Sequence, residues 1–151
     1  MLREAQRKLS GEAKEDEKKD KPKKDTQEGL LALLRTLRTI QSGIVAEVGN
    51  IHQRLGDQPI DFGTARTVAT IAETQGDVVL RLREDGLKPL EQNAIAKLAV
   101  GRVLAALEAS ETHLKKPAVG ERGVRLATIA LAEITRLLAI VRDMPPGEGP
   151  K

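Results

Sequence analysis

The chain has 151 residues with only two histidines, His52 and His113, and no cysteine, so little of it can do chemistry. Without thiols there is no cysteine nucleophile, no disulfide scaffold and no Cys-ligated zinc or iron–sulfur site. Two imidazoles do not make a metal centre by themselves. A di-metal helical bundle draws its ligands from Glu-x-x-His motifs and further inward glutamates, and the residues three positions before the histidines are Gly49 and Ser110. No Ser/His/Asp order, Gly-rich phosphate loop or paired-carboxylate motif supplies a converging acid, base or nucleophile with its orienting group. The sequence therefore assigns no catalytic, cofactor-binding or metal-ligating residues, and the chain reads as non-enzymatic. Phe62 is the sole aromatic, which removes base-stacking platforms, aromatic cages and the Tyr/Trp belts of membrane spans.

Charge does not point to a polyanion either. Lys plus Arg number 25 and Asp plus Glu 22, for a formal net charge of +3. Phosphate binding needs a local excess of cations, whereas signs alternate along most of this chain. The densest cationic stretch, Lys21, Lys23 and Lys24, is flanked by Asp20 and Asp25. A weak anionic-surface binder acting through residues 14–24 is kept as one alternative reading, with nucleic acid not expected as the principal partner.

The elements that must carry any function are helices. Residues 1–29 hold nine basic and eight acidic positions, so residues 1–24 are expected to form a charged flexible segment, disordered or transiently helical, ended by Pro22. Sustained helical periodicity follows. Asp25 and Glu28 form a capping-box signature, and Leu30, Leu33, Leu37, Ile40, Ile44, Val48, Ile51 and Leu55 recur every three or four positions. The spacing predicts helices over 26–56, 61–84, 89–114 and 121–143. Asp61 is the expected N-cap of the second, Asp85-Gly86 its stop, Pro89 the opening of the third, and residues 145–151 a Gly/Pro tail. No segment alternates with period two. Helices joined by short connections fold back on one another, so the expectation is an all-α antiparallel up-down-up-down four-helix bundle over 25–144. Pairing of the stripes between chains is the main alternative. No secretory signal or membrane-spanning stretch is visible. The chain is expected to be soluble as written, cytoplasmic by default, and envelope-associated if it is a fragment of a longer protein.

Irregular residues mark the candidate interaction face. Gly43, Gly49, Gly76 and Gly101 fall inside helices, each at a cost of about 1 kcal/mol relative to Ala; close packing against a neighbouring helix is the expected reason. Gln41 and Gln75 sit on or beside their apolar seams. Thr64, Thr67, Thr70 and Thr74 form a polar row along the second helix. Such groups either fix register inside a bundle, as a buried Asn does in coiled coils, or present a half-polar surface to a partner. The candidate face for a protein partner or self-association comprises Gln41, Gly43, Thr67, Thr70, Thr74, Gln75 and Gly76.

Two resemblances bear on function. His52 begins His-Gln-Arg-Leu-Gly, which resembles the histidine, basic residue and glycine of phosphotransfer bundles. The basic residue here stands at +2 and the histidine at the end of its helix, so an ordinary end-of-helix residue is the preferred reading. More broadly, LRTIQSGIVAEVGNI, ATIAETQGDVVLRLRED and the run from Leu104 to Val141 resemble the soluble all-helical region of large membrane-anchored bacterial proteins of unknown function. Gln41, Ile44, Val48, Gln75, Val78 or Val79, Gly120 and the Ile134 to Val141 run carry the likeness, over about residues 30–145. It implies an all-helical module of a larger envelope-associated assembly and transfers no catalytic residue. Membrane anchor and long Gln-rich tail are both missing here. The expected function is a spacer or protein–protein interaction domain, with no small-molecule substrate evident. The alternatives are a phosphotransfer bundle using His52 and the anionic-surface binder.

Overall fold

The computed structural model describes residues 22–56 and 58–144, with side chains from Gln27 onward. Most of the charged segment expected at 1–24 and the Gly/Pro tail at 145–151 lie outside the described residues. Among the described residues all regular structure is helical. Four long helices carry it: α1 (Pro22–Leu55), α2 (Phe62–Arg81), α3 (Ala94–Lys115) and α4 (Gly120–Arg142). α1 packs mainly on α4, α4 on α3, and α3 on α2.

Each helix buries a seam whose steps alternate between three and four residues. In α1 it runs Leu30, Leu34, Leu37, Gln41, Ile44, Val48 and Ile51, and in α2 Thr64, Val68, Ile71, Gln75, Val78, continuing to Leu82. α3 contributes Ala96, Val100, Val103, Leu107, Ser110 and Leu114, and α4 contributes Gly123, Ala127, Ala130, Ile134, Leu137 and Val141. Such a 3.5-residue period keeps one seam facing its partners along the whole helix, as in coiled coils. The α1 seam differs from the stripe read off the sequence: Leu34 and Gln41 are fully buried, while Leu33, Ile40 and Leu55 are only partly so. Leucines at 30, 31, 33 and 34 permit two adjacent stripes, and packing selects the one that brings a glutamine inside.

The helix boundaries also depart from expectation. The chain is already helical at Pro22, the first described residue, so Asp25 lies inside α1 rather than capping it. α2 does not stop at Asp85-Gly86. It widens into a π turn over Leu82–Gly86, where the Leu87 N–H donates to Leu82 O, and continues through a single α turn, Leu87–Leu90. A glycine stop works through the left-handed conformation, but Gly86 has φ −109° and ψ −29°, which carries the chain onward. Leu82 fills the space above it: a Cβ on Gly86 would lie 2.7 Å from Leu82 Cδ1 and 3.5 Å from Leu33 Cδ2. Pro89 therefore sits in the continuation of α2 and does not open α3. Asn93 opens α3 instead, its Oδ1 accepting the Ala96 N–H at 2.9 Å.

Glycines inside the helices are a further correction. Of the four singled out in the sequence, Gly76 alone makes a close approach, its Cβ position lying 2.8 Å from Glu111 Oε2, whereas Gly43, Gly49 and Gly101 face open space.

Candidate functional site

The middle of the molecule is polar. Gln41 of α1 and Gln75 of α2 pair through their amides: Gln41 Nε2 donates to Gln75 Oε1 at 3.1 Å, and Gln75 Nε2 donates to Gln41 Oε1 at 2.6 Å. Ser110 of α3 donates its hydroxyl to Gln75 Oε1 at 2.8 Å. Gln41 Nε2 reaches the main-chain oxygen of Ala127 in α4 at 3.2 Å. Every long helix thus gives one group to a single layer, and both glutamines and Ser110 are buried. Ala127 matters by being small, since its methyl leaves room for an amide to reach the helix backbone. A second polar fastening lies at one end, where buried Gln27 donates to Val141 O at 2.9 Å and Met144 O at 2.8 Å, holding the start of α1 against the end of α4. Unpaired buried amides each cost about 1–3 kcal/mol; paired as here, they allow one alignment of the helices and penalise the others.

The candidate face divides accordingly. Gln41 and Gln75 meet one another, but in the interior. Gly43 is exposed on α1. Thr67 and Thr70 are exposed on α2 and Thr74 is half-buried. The three hydroxyls donate to the carbonyls four residues earlier, Gly63, Arg66 and Thr70, at 3.2–3.3 Å, so the row is partly satisfied by its own helix. Gly76 lies between that row and α3, under the Glu111 carboxylate.

Sequence reasoning missed a second surface. Ile95 and Leu98 of α3 are each 69 % exposed. Leu98 borders a shallow groove with Ala94, Gly101 and Ala105, and Lys97 and Arg102 stand at its edges. The signal was present in the third helix, whose apolar residues cover more of its circumference than one buried seam requires.

The two histidines come together at the opposite end of α3. His52, in the last turn of α1, and His113, near the end of α3, line one cleft. His113 is buried and its Nε2 lies 2.9 Å from Val119 O. Electrostatics elsewhere are local. Asp61 caps α2, its Oδ1 accepting the Thr64 N–H at 2.7 Å. That backbone hydrogen bond, helped by the Thr64 hydroxyl and the Arg54 charge, holds its carboxyl below the usual carboxylate range. Arg83 pairs with Glu108 across α2 and α3, and Lys115 with Glu111 along α3 at 3.1 Å; both pairs are on the surface, where such bridges contribute little.

Among the described residues no three His, Asp or Glu side chains gather as a metal site, and no helix is long and apolar enough to cross a membrane. No protein-family model, curated protein or solved structure matches this chain.

Proposed function

We propose that this chain is a non-enzymatic helical module, an up-down-up-down four-helix bundle that acts as a spacer or protein–protein interaction domain. The observation that carries this reading is the outward face of α3, where Ile95 and Leu98 stand 69 % exposed and Leu98 borders a groove with Ala94, Gly101 and Ala105. Large aliphatic side chains exposed next to one another mark interaction sites more than scattered single ones do. The buried polar layer adds support, because its amides and hydroxyl are engaged with one another and hold the helices in alignment. The resemblance of residues 30–145 to the soluble helical region of membrane-anchored bacterial proteins supports a place in a larger envelope-associated protein.

The first partner to test is a second copy. Light scattering of the full chain across a concentration series should show self-association that Ile95→Lys with Leu98→Lys abolishes while helicity stays unchanged. Thr67→Lys with Thr70→Lys tests the row on α2 in the same way. Loss of association only in the threonine pair would move the surface to α2. Association unaffected by either pair, or a monomer at every concentration, would contradict self-association through these faces.

A further inference from the structure

The outward side of α3 carries both a projection and a hollow. Ile95 and Leu98, each 69 % exposed, project near its start. About three turns further on, Ala105, Glu108, Ala109 and Thr112 line a hollow of about 450 Å³ that Leu126 of α4 closes on the other side. Ala105 also borders the groove beside Leu98, so the two depressions adjoin along the helix. Positions 105, 108, 109 and 112 have the spacing of the four-residue hole that receives one side chain of a facing helix. Gly101, Ala105 and Ala109 are exposed and carry at most a methyl, and a Cβ on Gly101 would meet nothing within 4 Å. A second helix can therefore come close.

A surface that holds both a knob and its hole is complementary to its own copy about a two-fold axis. The hole is centred between Glu108 and Ala109, so seating Leu98 of another copy there puts the axis beside Val103 and sets Gly101 opposite Ala105. Such an axis lays each flank of α3 against the same flank of the partner. On the flank toward α4, Ile95 then covers the hollow near Leu126. On the flank toward α2, exposed Lys97 comes beside Glu108, twice over. Glu91, exposed just ahead of α3, comes toward Lys116 and Arg122 at the far end of the hollow. Opposing the contact, the two Arg102 side chains approach near the axis, but they are exposed at the edge, where water and salt screen them.

We propose that α3 pairs with α3 of a second copy, antiparallel about this axis, each Leu98 entering the hole between Ala105 and Thr112 of the other. The pairing takes the outward face of α3 as an interaction surface, as proposed above, and fixes its occupant, orientation and register. One helix pair is a small interface, so the dimer should be weak and reversible.

The chain has no cysteine, so introduced ones report the register. Ala94 and Thr112 are both exposed on α3. In the antiparallel pair Ala94 of one copy lies opposite Thr112 of the other, whereas like positions stand about 27 Å apart along the axis at 1.5 Å per residue. A disulfide needs Cα atoms within about 7 Å. Full-length Ala94→Cys and Thr112→Cys, mixed under air, should give a mixed disulfide in at least about tenfold the yield of like-with-like disulfides from either variant alone. Adding Ile95→Lys with Leu98→Lys to both should remove it, with helicity unchanged. Self-association that the lysine pair abolishes, but whose cysteines join like to like or not at all, keeps α3 as the surface and overturns the antiparallel register. Self-association that the lysine pair leaves intact overturns the α3 reading itself. A monomer at every concentration overturns the second copy as occupant.

Discussion

At the scale of single residues, side-chain oxygens of Asp61 and Asn93 meet the main-chain N–H groups left unpaired at the starts of α2 and α3. Asp61 shows the consequence for pH. Its carboxyl is held low by the Thr64 N–H, so the folded chain keeps it ionised more readily than the unfolded chain does. A depressed carboxylate contributes stability above its unfolded value, near 4, and loses it as pH falls through the lower folded value. Replacing Asp61 with Ala should lower the melting temperature at pH 7, and the gap from wild type should close as pH drops below about 4. Asp61→Asn, which still caps but does not titrate, should keep its own offset from Asp61→Ala across that range. Thermal melts of the three proteins at several pH values check the sign. Ser110 gives a second case: Ser110→Ala leaves Gln75 Oε1 still accepting from Gln41, so the loss should be about 1 kcal/mol.

At the scale of elements, glycine content is where stability is left unrealised. Gly43, Gly49 and Gly101 lie in helices with open space at their Cβ positions, and each Gly→Ala change should add about 0.5–1 kcal/mol. Gly86→Ala should instead destabilise, because its methyl meets the buried side chain of Leu82. Chemical denaturation of the four variants separates the two groups by sign. The same contrast shows what could be read in advance. Helix existence was legible because apolar residues recur every three or four positions over long stretches. The end of α2 was not, since a glycine after an aspartate looks the same whether it turns left-handed or continues through a π turn. Leu82 and Leu33 both close on Gly86, and the approach of Leu33 from α1 is tertiary. The exact seam of α1 was ambiguous for a related reason, as four leucines in five positions offer two stripes and only the partner helices choose between them.

At the scale of the whole molecule, two features come only from the order of the helices: the outward face of α3, which we propose for a protein partner, and the cleft at the far end of that helix. Neither was legible as a site. His52 and His113 are far apart in sequence and meet only through the order of the helices, and the exposure of Ile95 and Leu98 emerges once the neighbouring seams are in place. Gln41 and Gln75 were conspicuous as polar residues among aliphatic ones, but their partners, a serine on α3 and a main-chain oxygen on α4, required the alignment itself. That alignment is the claim on which the proposed α3 surface rests. A double-mutant cycle at Gln41 and Gln75, read by chemical denaturation, tests it most directly. Each single change to Leu strands buried polar groups and should cost about 2–3 kcal/mol. Gln41→Leu with Gln75→Leu should cost at least about 1 kcal/mol less than the sum of the singles, because paired groups are removed together. Strictly additive losses, or single changes that cost nothing, would contradict it.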